Sequence, residues 1–183
     1  NSKGVYTFCM CPGGYVIPSS CQKDQLVVNG MSYASRSGEN ANSALLVQIN
    51  DSDYGNELFA GLKYQEDLEK KAFKMGHDYK ACVQLAKDYL ENKISNQFES
   101  VLPTYSIGTT FCDLNDLFSK EVNLALHEAL EHFEKKVPGF VSGGAILSGV
   151  ESRSSSSVRL VRDKESYVSN IQGIYPSGEG SGY

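Results

Sequence analysis

Several short stretches of this chain carry residue types able to do chemistry. "SRSSSSVRLVR", residues 152–162, sets Arg153, Arg159 and Arg162 around a run of hydroxyls. Guanidinium groups form bidentate contacts with carboxylate or phosphate, so the three can converge on an anion, with Ser154 and Ser155 adding hydrogen bonds. Plain surface solvation is the alternative. "GEGSGY", residues 178–183, places Glu179 among Gly178, Gly180 and Gly182. Glycines let a backbone approach a ligand closely, although composition alone fits a flexible terminal tail equally well.

"FCMCPGG" puts Cys9 and Cys11 two residues apart, so on a strand both thiols face one side. Two ligands are too few for structural zinc, and no second Cys or His pair completes a set, so no metal site is expected. The pair reads better as small buried hydrophobes beside a Pro-Gly-Gly turn than as reactive thiols. "HEALEH" invites comparison with H-E-x-x-H, but His127 and His132 are five apart. That separation is roughly 140° around a helix, too far for one shared ion, and leaves both histidines facing solvent. The polar residues Asn29, Ser32, Arg36, Asn40 and Asn42 lie in "NGMSYASRSGENANSALLV", which reads as a hairpin and loop. No G-x-S-x-G elbow, phosphate-binding P-loop or calcium loop is present, and the catalytic residues are left unassigned.

The elements that must position these groups are legible in outline. Residues 5–49 are rich in Val, Ile, Tyr and Thr and punctuated by "CPGG", "PSS" and "VNG", which predicts short strands, the last including the apolar run 45–49. Residues 57–92 carry apolar side chains at helical spacing (Leu58, Leu62, Leu68, Ala72, then Val83, Ala86, Tyr89, Leu90) and predict two helices broken near Gly76. A further helix follows, capped by Asp113 or Asn115 and ended by Pro138-Gly139. Two β runs flank the serine bend, and "GIYPSG" reads as a last short strand. The expected fold is α+β, with short, largely antiparallel strands from both ends of the chain packed on about three central helices.

A chain of 183 residues can build one compact core, and 40% hydrophobic with 21% charged residues describes a soluble protein. No apolar run is long enough to span a membrane. A net charge of -5 gives little counterion release on nucleic acid, so neither nucleic acid nor membrane is expected as a partner. The five scattered cysteines fit a reduced, cytoplasmic setting. The chain starts "NSKGVYTF", without Met or signal features, and stops in a glycine-rich turn, so both ends look cut.

Four segments, "VYTFCMCPGGYVIPSS", "LVVNGMSYASRSGENANSALLV", "GVESRSSSSVRLVRD" and "GIYPSGEGSGY", resemble matching segments of a bacterial family of uncharacterised FAD-dependent, or NAD(FAD)-utilising, dehydrogenases. The resemblance runs from residue 5 to residue 183. It implies that the chain is an excised internal portion of a flavoprotein oxidoreductase, with residues 1–172 an inserted substrate or cap domain and 173–183 the start of a C-terminal FAD-domain segment. FAD is then the cofactor of the parent protein, bound weakly or not at all by this fragment, which is expected to be inactive alone. Glu179 would accept hydrogen bonds from the ribityl chain, with Gly178, Gly180 and Gly182 allowing close approach. Arg153, with Ser154 and Ser155, would hold a small-molecule substrate, anionic if the arginine binds it, and the resemblance leaves use of NAD(P)H open. It also implies that the loop of Asn29 to Asn42 lines the flavin or substrate cavity. An autonomous, non-catalytic binding or interaction module is the alternative.

Overall fold

The computed structural model describes residues 3–182, and the fold is α+β. In the first third, β1 (Val5–Cys11) pairs antiparallel with β4 (Asn42–Val47), and β2 (Gly14–Pro18) pairs antiparallel with β3 (Val28–Ser32). Side chains alternate across a strand, so Val5, Leu45 and Val47 reach the core while Tyr6 and Phe8 remain exposed. The apolar run leaves the strand after Val47. At Asn50 the chain turns into α1 (Asp51–Tyr54), where the Asn50 side chain accepts from the Ser52 amide and Asp53 accepts from the Asn50 amide.

Helix α2 (Ala60–Gly76) ends where the sequence predicts, but no second long helix follows. Residues 81–90 are instead β5 (Ala81–Leu85) running directly into the short α3 (Ala86–Leu90). Every residue of β5 is buried, because it is the centre of a three-stranded sheet between β6 (Thr109–Phe111), parallel to it, and β7 (Ile146–Gly149), antiparallel. A strand buried on both faces shows no alternation, so its apolar run merged in sequence with Ala86 and Tyr89 of the next helix.

Helix α4 (Lys120–Lys136) buries Val122, Ala125, Leu126 and Leu130. Its cap is Ser119, whose side chain accepts from the Val122 amide. Asp113 caps a separate 3-10 turn, Leu114–Asp116, so the predicted cap lies one element too early. Among the described residues, no helix is long and apolar enough to cross a membrane.

One connected core joins α2, the β5 sheet and α4, and it is tied to β3 by the Val28 amide donating to the Val150 carbonyl at 2.9 Å. The predicted strands after the serine bend do not form. Residues 159–176 contribute a single bridge, Arg162 to Ser169, and Leu160, Val161, Ile174 and Tyr175 are each at least half exposed. These apolar residues find no sheet to join, and a strand without a buried face has little to hold it.

Candidate functional site

The inner face of α2 carries two polar residues that grip the serine bend. Gly61, Gln65, Glu69, Ala72 and Gly76 recur every three or four positions, so they share one face of the helix. Gln65 Nε2 donates to the carbonyls of Ser152 and Ser155 at 2.8 and 3.2 Å. Glu69 is fully buried, and its Oε1 accepts from Ser152 Oγ at 2.6 Å. Arg153 closes on the same carboxylate as a fork, Nε to Oε1 at 2.8 Å and Nη2 to Oε2 at 2.7 Å. Its Nη1 donates to Cys21 Sγ at 2.8 Å, and Nη2 also meets Gln22 Oε1. The Glu69 carboxylate holds the guanidinium pKa above its ordinary value. A buried carboxylate needs such a partner, since an unpaired charge away from water is heavily penalised.

The glycine-rich tail packs onto the far side of this bend. Glu179–Ser181 forms a 3-10 turn, in which Ser181 is buried and its Oγ donates to the Gly178 carbonyl at 2.8 Å. The Leu160 amide donates to the Gly180 carbonyl at 2.6 Å, and Arg162 donates to the carbonyls of Pro176 and Gly182 at 2.7 and 3.2 Å. The three glycines have different surroundings. A Cβ on Gly180 would lie 3.3 Å from Ser156 Oγ, and one on Gly182 would lie 3.3 Å from Arg159 Nη2, whereas one on Gly178 meets nothing within 4 Å. Gly178 alone among them combines positive φ (87°) with open space where a Cβ would lie.

Arg153 and Ser155 of the serine bend and Glu179 of the tail line one cleft of about 320 Å³ together with Gln22, Gln65 and Leu62. Ser154 is not in that cleft but faces a larger cavity of about 1070 Å³, which shares Gln65 and Ser155 to Ser157 with it. The serine bend is thus the wall between the two spaces. Asn29, Asn40 and Asn42 line the larger cavity, while Ser32 and Arg36 do not. Asn42 is wedged between two strand glycines: a Cβ on Gly30 would lie 2.0 Å from its Oδ1 and one on Gly14 2.5 Å from its Nδ2.

Three expectations are corrected here. The arginines do not converge on one point, because Arg153 turns to Glu69 while Arg162 holds the tail carbonyls and stacks over Tyr167 at 5.0 Å. The Cys9 and Cys11 pair is not buried: Cys9 is exposed, with φ of 53°, at a register shift in β1, and only Cys11 lines the large cavity. That bulge breaks the two-residue alternation on which the shared face depended. His127 is half-buried rather than facing solvent; its Nε2 lies 2.9 Å from Asn115 Oδ1, its ring packs edge-on to Tyr89, and burial lowers its pKa. His132 is exposed as expected. Among the described residues no group of three or more His, Cys, Asp or Glu is arranged to hold a metal.

Gln65 and Glu69 are the site residues that sequence reading passes over. Their only signal is register with Ala72 and Gly76 on the helix face, masked by the neighbouring charges of "QEDLEKK".

The fold is an α+β domain with a large, chiefly apolar cavity and, across the serine bend, a smaller cleft that holds Arg153 and Glu179. The chain belongs to the family described as "FAD-dependent protein, C-terminal domain-like", whose pattern matches residues 1–154. It is also similar to an uncharacterized protein of Clostridium beijerinckii, 42% identical over 183 residues, a match covering 99% of this chain and 34% of that protein. The chain therefore spans about a third of the length of the curated relative it matches.

Proposed function

We propose that this region is the substrate-side domain of an FAD-dependent oxidoreductase and that it covers the cofactor in the whole protein. The observation that carries the reading is the shared cleft: Glu179 of the glycine turn and Arg153 and Ser155 of the serine bend line one space. Family membership supports FAD as the group concerned. The local chemistry fits it, since Gly178 leaves room beside the backbone and Glu179 supplies an acceptor for sugar-alcohol hydroxyls.

When bound, the flavin supplies hydride or electron transfer; the protein supplies binding, orientation and exclusion of water. Glu179 would hold the ribityl hydroxyls by accepting hydrogen bonds, with Gly180 and Gly182 seating the turn on the bend. Arg153, its charge matched by Glu69, fixes the course of the bend, and the hydroxyls of Ser154 and Ser155 are presented on its two sides. Residues 1–172 form the substrate-side domain and 173–183 lead back to the cofactor domain. A small-molecule substrate then lies across the bend from the cofactor-facing cleft.

The test is an FAD titration, followed by flavin fluorescence, of this chain and of the same polypeptide extended by its flanking coding segments. Binding by the extended protein alone, weakened at least about tenfold by Glu179→Gln, is the expected result. Failure of both to bind FAD overturns the reading and favours a non-catalytic interaction module.

A further inference from the structure

The two spaces on either side of the serine bend differ in charge. The small cleft holds Arg153 and Glu179. Among the described residues lining the large cavity there is no lysine, arginine, histidine or aspartate, and the one carboxyl group is that of Glu151. Burial pushes the Glu151 carboxyl toward its neutral form. The remaining walls are chiefly apolar, with Val16 and Val28 from the β2–β3 pair, Leu45 from β4, and Leu126 and Leu130 from α4.

At about 1070 Å³ the cavity is just above the usual range of pockets for drug-sized or cofactor-sized molecules, so it has room for one. An anion entering it would lose hydration and meet no cation in return, whereas a neutral hydrocarbon body would gain from leaving water. Apart from Glu151, the polar side chains of the lining are uncharged, and amides such as Asn29 and Gln48 can bond a hydroxyl or carbonyl oxygen.

We propose that the large cavity binds an uncharged, mainly apolar small molecule carrying a hydroxyl or carbonyl oxygen, and that it discriminates against carboxylates and phosphates of the same size. Identifying that molecule as the substrate rests on the oxidoreductase reading above; its binding does not. The ligand class also differs from the anionic one that Arg153 suggests in sequence, because Arg153 lies outside this cavity and is paired with Glu69.

The probe is the neutral fluorophore N-phenyl-1-naphthylamine, displaced at pH 8 by 1-dodecanol or by laurate. These competitors share a chain length, and laurate is ionised at that pH. Saturable probe binding is expected, with dodecanol displacing it at a concentration at least about tenfold below laurate. Ala41 and Met10 are exposed members of the lining, so substitutions there leave the core intact. Ala41→Trp should weaken probe binding at least about fivefold by adding bulk to the exposed lining, and Met10→Lys should bring laurate to parity with dodecanol by supplying the missing cation. Non-saturable binding, equal displacement by the two competitors, or indifference to both substitutions overturns the proposal. So does binding by this chain that vanishes in the extended polypeptide, since the cavity is then a surface that the rest of the protein covers. Flavin absorbance of the extended polypeptide is scored separately, so loss of FAD binding and loss of probe selectivity are independent outcomes.

Discussion

The β5 sheet and the serine bend are held in place by opposite physics. In β5 all five residues are buried, and neighbours such as Leu117 and Leu130 are about 1% exposed, so the sheet is fixed by apolar surface removed from water. The bend and tail bury little hydrocarbon, and Leu160, Val161, Ile174 and Tyr175 remain exposed. They are fixed by directional bonds to Gln65, Glu69 and Arg162. Packing on both faces keeps β5 itself off both spaces, whereas a bend fastened at a few polar points leaves clefts on either side of it. The difference explains why the residues able to do chemistry collect around the bend rather than on the fully buried β5.

Substitutions test that contrast. The largest effect is expected on the packed side: Leu130→Ala should lower unfolding stability by about 3–4 kcal/mol through lost burial and a residual cavity, read from urea denaturation. Arg153→Ala comes next, at about 2–3 kcal/mol, because it strands the buried Glu69 carboxylate. The double substitution Arg153→Ala with Glu69→Leu should recover much of that loss, which distinguishes an uncompensated charge from lost packing. If Arg153→Ala is silent, the bend is held by something other than its ion pair and the contrast fails.

The smallest effect is expected at Glu134, where the same hydrogen-bonding logic operates near solvent. Its carboxylate accepts from Ser142 Oγ and from the amides of Val141 and Gly139, which lowers its pKa to about 2. A carboxyl depressed in the folded state contributes stability that is fully present above its unfolded pKa and lost as pH falls through the folded one. Between roughly pH 4.5 and pH 2, stability should therefore fall more steeply in the wild type than in Glu134→Gln, as followed by acid titration of the unfolding midpoint. Parallel curves would mean that this loop closure is absent in solution.

The first-third strands and α4 were readable because their patterns are long or clean: β-rich runs set off by turns, and a helical stripe of Val122, Leu126 and Leu130. β5 was not, since five consecutive buried residues carry no period and the next helix begins at once. Glu179, Arg153 and Ser155 were each visible as residues of interest, and the fold places them on one cleft. Their meeting was not visible, for Glu179 is brought back by the bonds of Leu160 and Arg162 to the tail. Glu69 was hidden among solvated charges, and its partner is 84 residues away.

By itself the sequence determined the α+β class, the long α2 and α4 helices, and the family resemblance carried by its motifs, because these depend on local composition, spacing and order along the chain. The tertiary structure alone decided that Arg153 answers a buried glutamate, that Cys9 is turned outward, and that a cleft holding Arg153 and a chiefly apolar cavity share one wall. Burial and charge pairing depend on which distant segments meet, and no local pattern of residues encodes that meeting.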